Sequence, residues 1–424
     1  MANPDTPMKQ MVLFTSHFPF GSGETFLEPE IPCLCRAFDR IIICTEHHDD
    51  ETTARPLPDK CQVIRYRTDS TIGDLLRLPW LVLVFGRSCC KALRAERKAI
   101  TDAGVRFRIR HLKRLLHDLA KGLQATRFIR QHFKAEDALF YTYWLKAPAL
   151  GLALLHARND AWRGVSRAHG HDVYAEVHQP AYIPFQRFKV MQLNGVHSVS
   201  AYGRDYLCRR MPDLSDRIHV SRLGTPAPEG LPEGRPEEVR PLHIVTCSNL
   251  PVSDVKRIPL LIAALYHVQL PLVWTHIGSG PMLASCQTEA EDLQRQNPQI
   301  SVEFTGQMTN RDIQRFYATH FVHAVLNVSR SEGIPVALME AVSYGIPVLA
   351  TDAGGNREVC NASTGRLIPV KQTPESLAEA LTAFLTGEAD RFDREAIRQY
   401  WADHFSADRN FRAWTGVLER LTAR

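Results

Sequence analysis

Short β-branched and aromatic runs alternate along this chain with turns and longer stretches of helical periodicity. In the first half MVLFTS, RIIICTE, DALFYTY and GVHSVS read as strands; in the second half LHIVTCS, LVWTHIG, ISVEFTG, HAVLNVS and PVLATD do. A strand, a turn and a helical pattern repeated in this way predict parallel sheets with crossover helices. Right-handed crossovers gather the loops that follow the strands at one edge of each sheet, where ligands of such sheets bind. The repeat breaks at Gly224 to Pro241 (GTPAPEGLPEGRPEEVRP), whose five prolines, three glycines and four glutamates offer nothing to pack. We read an interdomain linker there. The expected organisation is a first α/β domain over 1–224, a linker over 225–241 and a second α/β domain over 242–395, the two facing a cleft. A helical stretch from Asp393 to Leu421 outlasts the last strand unit, and about 396–424 is expected to pack back on the first domain.

A length of 424 residues, 44% hydrophobic and 23% charged, fits two globular domains and excludes disordered, collagenous and disulfide-scaffold chains. The polar opening MANPDTPMKQ lacks the pattern of a secretory signal, and the ten cysteines are scattered with no CxxC pair. Both point to a cytoplasmic protein with reduced thiols, no disulfide and no zinc. Charge matters by region: the net +5 hides a segment, 87–134, with fourteen Lys and Arg against Glu96, Asp102 and Asp118, or +11. Just before it, Leu78 to Phe85 (LPWLVLVF) is too short to span a bilayer. An apolar run beside a basic helical stretch predicts docking of residues 78–134 on an anionic membrane surface. A buried helix followed by solvated basic faces is the competing reading. No zinc-finger, RNP or helix-turn-helix pattern accompanies the charge, so no nucleic-acid partner is expected.

The densest chemistry lies at 329–359, SRSEGIPVALMEAVSYGIPVLATDAGGNREV. Pro335 suits the first turn of a helix, where its missing N–H costs nothing, so Val336 to Tyr344 forms the helical body and Glu332 lies in the loop entering it. Helical side chains lean toward the N-terminus, which turns Glu340 back toward that loop. Two ionised carboxylates at one end of a cleft suit a hydroxyl-rich ligand, since each offers only acceptors. Free N–H groups at the helix start favour anionic groups. Taken in isolation, the pair would read as a solvated loop glutamate and a surface helix glutamate.

The passage closely resembles the donor-binding stretch of glycosyltransferase family 4, retaining enzymes of the GT-B fold. The matching residues are Ser329, Glu332, Gly333, Pro335, Glu340 and Ala341, then Gly345, Pro347, Val348, Ala350, Thr351, Gly354, Gly355 and Glu358. The resemblance covers Leu242 to about Pro369 well and the first half more loosely. It implies two Rossmann-like domains, Glu332 on hydroxyls of the donor sugar and Glu340 on the nucleotide ribose, with Gly333, Ile334 and Pro335 in the same donor site. Lys256 and Arg257 follow a strand, and cations there can neutralise a diphosphate as it leaves. The family carries an Arg four residues before a Lys in this loop. SNLPVSDVKR lacks that Arg, so either Asn249 takes its place or Arg257 supplies the charge. Gly278 and Gly280 (IGSGP) match the family's glycine turn near the nucleotide, and Met308 follows the strand whose end meets the base.

In the first half, FPFGSGETF follows the first strand and opens a helix. A glycine-rich strand-to-helix turn cradles phosphate through backbone N–H groups. A dinucleotide fingerprint competes, with Glu46 as the ribose acid, but Phe26 stands where the third glycine belongs. The resemblance sets Gly21, Gly23 and Glu24 beside the donor phosphates and acceptor. In RAHGHDVY it implies His169 near the reacting sugar, with Asp172 an acceptor-side group or a turn former. His169, His171 and Asp172 on one loop lack the partners a metal needs, so no metal site is expected.

Together these readings imply a retaining, metal-independent glycosyltransferase that uses a nucleotide-sugar donor, no cofactor and an acceptor hydroxyl; the sequence has no DxD pair to hold Mg²⁺. The basic segment suggests a lipid-linked saccharide acceptor at the inner face of the cytoplasmic membrane, as in surface polysaccharide assembly. Rivals on the same frame are a nucleotide-sugar epimerase or phosphorylase, a nicotinamide dehydrogenase and a non-catalytic sugar-nucleotide-binding subunit. Base, sugar and linkage are not legible, since bases are met largely through backbone.

Overall fold

The computed structural model describes residues 9–422 apart from 22, 47–53, 69–85, 103–105 and 234–238. The apolar run Leu78 to Phe85 of the expected membrane segment lies outside the described residues. The chain divides into two compact units, Met1–Arg222 with Phe411–Arg424, and Leu223–Asn410.

Unit 1 is built on a parallel sheet of β1 (Gln10–Thr15), β2 (Arg40–Thr45), β3 (Cys61–Arg65), β4 (Leu139–Thr142), β5 (Gly164–Ala168), β6 (Gly195–Ser198) and β7 (Ile218–Val220), in the order β3-β2-β1-β4-β5-β6-β7. β1 pairs on both sides, Val12 standing opposite Ile42 and Phe140, and Met11 to Phe14 are at most 1% exposed. A strand covered on both faces shows no polar alternation, which is why MVLF reads as a solid apolar block.

β3, β5 and β7 go beyond the strands that the pattern predicts. β5, GVSRA, is buried throughout although it carries Ser166 and Arg167. The Arg167 guanidinium donates to the Tyr141 hydroxyl (2.7 Å) and the Ser221 carbonyl (2.7 Å), stands 3.4 Å from the Glu30 carboxylate and lies 4.8 Å over the Trp414 ring. Its charge is thus met inside the unit by groups distant in sequence. The basic segment forms helices Gly86–Asp102 and Ile109–His132. The second buries Leu115, Leu119, Leu123 and Ile129, while Phe107, Ile109 and Leu112 at and before its start remain exposed.

Unit 2 carries β8 (Leu242–Cys247), β9 (Leu272–Ile277), β10 (Ile300–Gly306), β11 (Ala324–Asn327), β12 (Val348–Thr351) and β13 (Gly365–Ile368), in the order β10-β9-β8-β11-β12-β13 and parallel throughout. The strand order reverses between β8 and β11, the kind of switch point at whose carboxyl edge open α/β sheets bind ligands. β13 is a further strand that the pattern does not predict.

The described part of the expected linker contains no helix and joins other structure through a bridge between Thr225 and Ser406. The return to unit 1 begins later than expected. Helix Arg394–His404 belongs to unit 2, where Tyr400 donates to the Glu358 carbonyl and Trp401 to the Thr225 hydroxyl. Within helix Ala407–Thr422, residues from Phe411 onward belong to unit 1, and Phe411, Trp414 and Leu418 are buried there.

Candidate functional site

In unit 2 the residues expected to bind donor all follow strands at one edge of the sheet. Lys256 and Arg257 end the loop after β8, Gly278 and Gly280 follow β9, Met308 follows β10, and Glu332 to Pro335 follow β11. Glu332 is buried, and its Oε1 accepts from Lys256 Nζ (2.6 Å), Ser329 Oγ (2.7 Å) and Asn327 Nδ2 (3.1 Å). Burial alone would raise this carboxyl, but the Lys256 ammonium and the hydrogen bonds outweigh it and hold it below the ordinary carboxylate range. Glu332 is therefore an anion at neutral pH. Its Oε2 has no hydrogen-bond partner among the described residues and stays available as an acceptor.

Pro335 is the N-cap of helix Val336–Ser343, one position ahead of the first turn that the sequence suggests, and Glu340 lies in that helix. Glu340 is half-buried, and burial, with no facing cation among the described residues, pushes its carboxyl up to about 7. The two glutamates thus differ in state: one is locked as an anion and the other is poised between its forms.

The Glu332 loop is backed by the glycine pair after β12. Gly354 has φ +55°, and a Cβ there would meet the Glu332 carbonyl oxygen at 2.0 Å; one on Gly355 would meet that of Gly333 at 2.2 Å. Two small residues let the two loops lie backbone against backbone, and Gly355 N–H donates to the Glu332 carbonyl (3.2 Å). Asn356 Nδ2 reaches the Thr351 carbonyl (2.8 Å) and Asn327 Oδ1 (3.3 Å), which also takes the Ser329 N–H (3.0 Å). Asn327 and Asn356 are site residues that sequence reading missed. Their signal was faint, because asparagine next to a strand end reads as a turn former.

Gly278 and Gly280 pack in the same fashion, facing the Ser248 and Leu250 carbonyls, so the loops after β8 and β9 lie together with Asn249 exposed beside them. Met308 is half-buried. Arg257 is the N-cap of helix Ile258–Leu265, and its guanidinium donates to the carbonyls of Val328 (2.5 Å), Val370 (2.6 Å) and Ser329 (3.4 Å). It clamps the β11 loop from within, and Lys256 is the cation that touches Glu332.

The remaining expected residues lie in unit 1. Gly21 adopts φ +62°, and Glu24, with φ +54°, precedes a short 3₁₀ turn, Thr25–Leu27. The Glu24 carboxylate accepts from the backbone N–H groups of Ser16 (3.0 Å), His17 (2.7 Å) and Phe18 (2.7 Å) and from the Trp144 indole. These N–H groups lie just past the end of β1, ahead of Gly21 and Gly23. Gly23 lies beside His17. His169 is buried against Trp144 (ring centroids 4.4 Å apart), Tyr143 and Phe26, and burial, then Arg167 and Lys146, hold its imidazole well below its ordinary value. Its Nε2 is buried without a hydrogen-bond partner among the described residues. Asp172 accepts the N–H groups of His169 (2.5 Å) and Leu145 (2.6 Å), and burial lifts its carboxyl to about 6. The structure therefore brings Glu24, His169 and Asp172 together around Trp144 and Leu145, two residues that carry no motif. Among the described residues, no cluster of His, Cys, Asp and Glu is arranged to hold a metal ion and no helix is long and apolar enough to cross a membrane.

Comparison with known proteins adds to this geometry. Residues 241–387 match the family described as Glycosyl transferases group 1. The putative colanic acid biosynthesis glycosyltransferase WcaL of Escherichia coli (strain K12) is 28% identical over 183 residues, 41% of this chain and 44% of its own. The GDP-mannose-dependent monoacylated alpha-(1-6)-phosphatidylinositol monomannoside mannosyltransferase of Corynebacterium glutamicum is 24% identical over 301 residues, 65% of this chain and 73% of its own. This chain thus spans less than half the length of WcaL and about three quarters of the mannosyltransferase. The apo form of the lipopolysaccharide outer core galactosyltransferase WaaB aligns with a TM-score of 0.63 at 15% identity, covering 95% of this chain and 98% of that one, a likeness of fold. The chain has the GT-B fold of two parallel-sheet Rossmann-like units, and its residues 241–387 carry the match to the glycosyl transferases group 1 family.

Proposed function

We propose that this chain is a retaining glycosyltransferase of family 4 that moves a sugar from a nucleotide-sugar to an acceptor hydroxyl without a metal. The observation that carries the reading is the Glu332 loop: an ionised carboxylate 2.6 Å from a lysine, with one oxygen tied down and the other without a hydrogen-bond partner among the described residues, at the carboxyl edge of the unit 2 sheet. In this reading a donor-sugar hydroxyl donates to Glu332 Oε2 and the ribose hydroxyls donate to Glu340. Lys256 and the N–H groups opening helix Val336–Ser343 meet the negative charge that grows on the departing diphosphate. In the mechanism that the resemblance to family 4 implies, the acceptor attacks from the front face and the leaving phosphate takes its proton, with Glu332 Oε2 spent on the donor-sugar hydroxyl rather than acting as a nucleophile. His169, neutral and with Nε2 unpartnered among the described residues, suits a contact to the reacting sugar.

The proposed acceptor is a lipid-linked saccharide of surface polysaccharide assembly, met at the inner face of the cytoplasmic membrane. Support comes from the colanic acid and phosphatidylinositol monomannoside named for the two relatives. It comes also from Phe107, Ile109 and Leu112, exposed among the exposed Arg106, Arg108, Arg110 and Lys113. A thermal-shift screen over nucleoside diphosphates and their sugars tests the donor side, with one base expected to stabilise the protein. Transfer to an acceptor mimic should then give a product with the donor's anomeric configuration. A donor converted to its epimer without acceptor would overturn the reading in favour of an epimerase.

A further inference from the structure

Arg114, His117, Asp118 and Lys121 recur at helical spacing along helix Ile109–His132 and so share one face. That face lines a cavity of about 190 Å³ within unit 1, together with Lys146 from the loop after β4 and His171 and Asp172 from the segment after β5. The cavity therefore lies at the carboxyl edge of the unit 1 sheet. Its volume leaves room for a diphosphate.

The charges around it are unequally satisfied. Asp172 is spent on the Leu145 and His169 N–H groups, and the buried Lys189 donates to the Leu145 carbonyl (2.6 Å) in the field of Asp118 and Asp172. Arg114 meets the Pro180 carbonyl at 3.5 Å and Lys146 lies 4.5 Å over the Trp144 ring. Among the described residues, neither of these cations nor Lys121 has a carboxylate at ion-pair distance. Burial, then Lys146 and His178, hold His171 down to about 4, so the imidazole adds a neutral hydrogen-bonding edge at physiological pH. Glu46 and Asp118 line the same cavity, Glu46 taking the Thr68 hydroxyl and Asp118 lying in the field of Lys189, Arg114 and Lys121, so four cations, with Lys146, face three carboxylates, with Asp172. A surplus of cations with no carboxylate at ion-pair distance from Arg114, Lys121 or Lys146 among the described residues is an arrangement that phosphate oxygens satisfy.

We propose that this cavity binds a phosphate or diphosphate ester of the acceptor, gripped by Arg114, Lys121 and Lys146. The proposal rests on the reading of the chain as a glycosyltransferase, with unit 1 as its acceptor domain, and names the chemistry of what unit 1 holds. Ile109 and Leu112, exposed on the same helix, would place a lipid-borne phosphate near its membrane. A soluble sugar phosphate carries the same chemistry.

The test is calorimetric titration of the full chain with inorganic pyrophosphate. In one variant the donor-site pair is replaced on both sides, Lys256→Ala with Glu332→Gln; in another, Lys121→Ala is combined with Lys146→Ala. Unchanged thermal unfolding of the second variant shows that the cavity lysines are not needed for folding. We expect pyrophosphate binding to survive the first change and to weaken at least tenfold in the second. Geranylgeranyl diphosphate and glucose 1-phosphate then distinguish the sources: tighter binding of the prenyl compound assigns a lipid carrier, and tighter binding of the sugar phosphate a soluble acceptor. No binding by the wild type, binding untouched by loss of both lysines, or binding lost with the donor-site pair overturns the proposal. Because binding is read without turnover, a failure of transferase activity is a separate result.

Discussion

Replacing Glu340 with Gln should stabilise the unliganded protein above neutral pH while loosening its hold on nucleotide. Burial, with no facing cation among the described residues, moves this carboxyl from 4.5 to about 7. At about 1.4 kcal/mol per pH unit, ionising it in the folded chain costs on the order of 3 kcal/mol, which screening on its partly exposed side trims toward about 2. The sign follows from proton counting. Between 4.5 and about 7 the folded chain keeps a proton that the unfolded chain has released, so stability falls as pH rises through that window. Glu340→Gln should therefore match the wild type below 4.5 and exceed it by about 2–3 kcal/mol above about 7. Urea denaturation across about pH 4 to 8 measures the difference. A saturating nucleoside diphosphate should reverse it, because the ribose then loses a charge-assisted hydrogen bond of about 1.5–3 kcal/mol. A stability difference that does not change with pH would refute the reasoning.

Lys256→Ala should depress turnover more than donor binding, since the charge it meets grows in the transition state, and activity should survive EDTA; an absolute Mg²⁺ requirement would contradict this. Gly354→Ala sets a Cβ against the Glu332 carbonyl at φ +55° and should cost about 1–3 kcal/mol in denaturation together with a loss of donor binding; wild-type stability and affinity would show that the backing is dispensable. Arg167→Met strands the buried Glu30 carboxylate and should destabilise the fold by about 3–5 kcal/mol, and a loss below about 1 kcal/mol would remove the anchoring role. Reversing the charge of Arg106, Arg108, Arg110 and Lys113, each worth about 1 kcal/mol near anionic lipid, should release the protein from anionic vesicles and spare transfer to a soluble acceptor mimic. A wild type that does not co-sediment with such vesicles at low salt would sink the membrane reading.

What was legible in the sequence depended on how local its cause was. MVLF and IIIC are buried on both faces by their own composition, and each reads as a strand without outside help. Arg167 makes β5 illegible, because its partners Glu30 and Trp414 lie far off along the chain and periodicity cannot count them. In the site, the positions of Glu332 and Glu340 follow from Pro335 and helical geometry, yet their states do not. Glu332 owes its charge to a lysine 76 residues earlier. Glu24 teaches the same lesson from the other side: it reads as part of a glycine-rich turn, yet its carboxylate turns back to cap the N–H groups of Ser16, His17 and Phe18 that follow β1.

Unit 1 is sewn from two lengths of chain with the whole of Leu223–Asn410 between them. A ribosome makes unit 2 before it makes Phe411, Trp414 and Leu418. Until those residues emerge, Arg167 and its ring of partners have an open side where Trp414 will lie. The unit that is synthesised first is therefore the one that finishes last, and a chain stopped at Asn410 would carry a complete unit 2 and an unfinished unit 1.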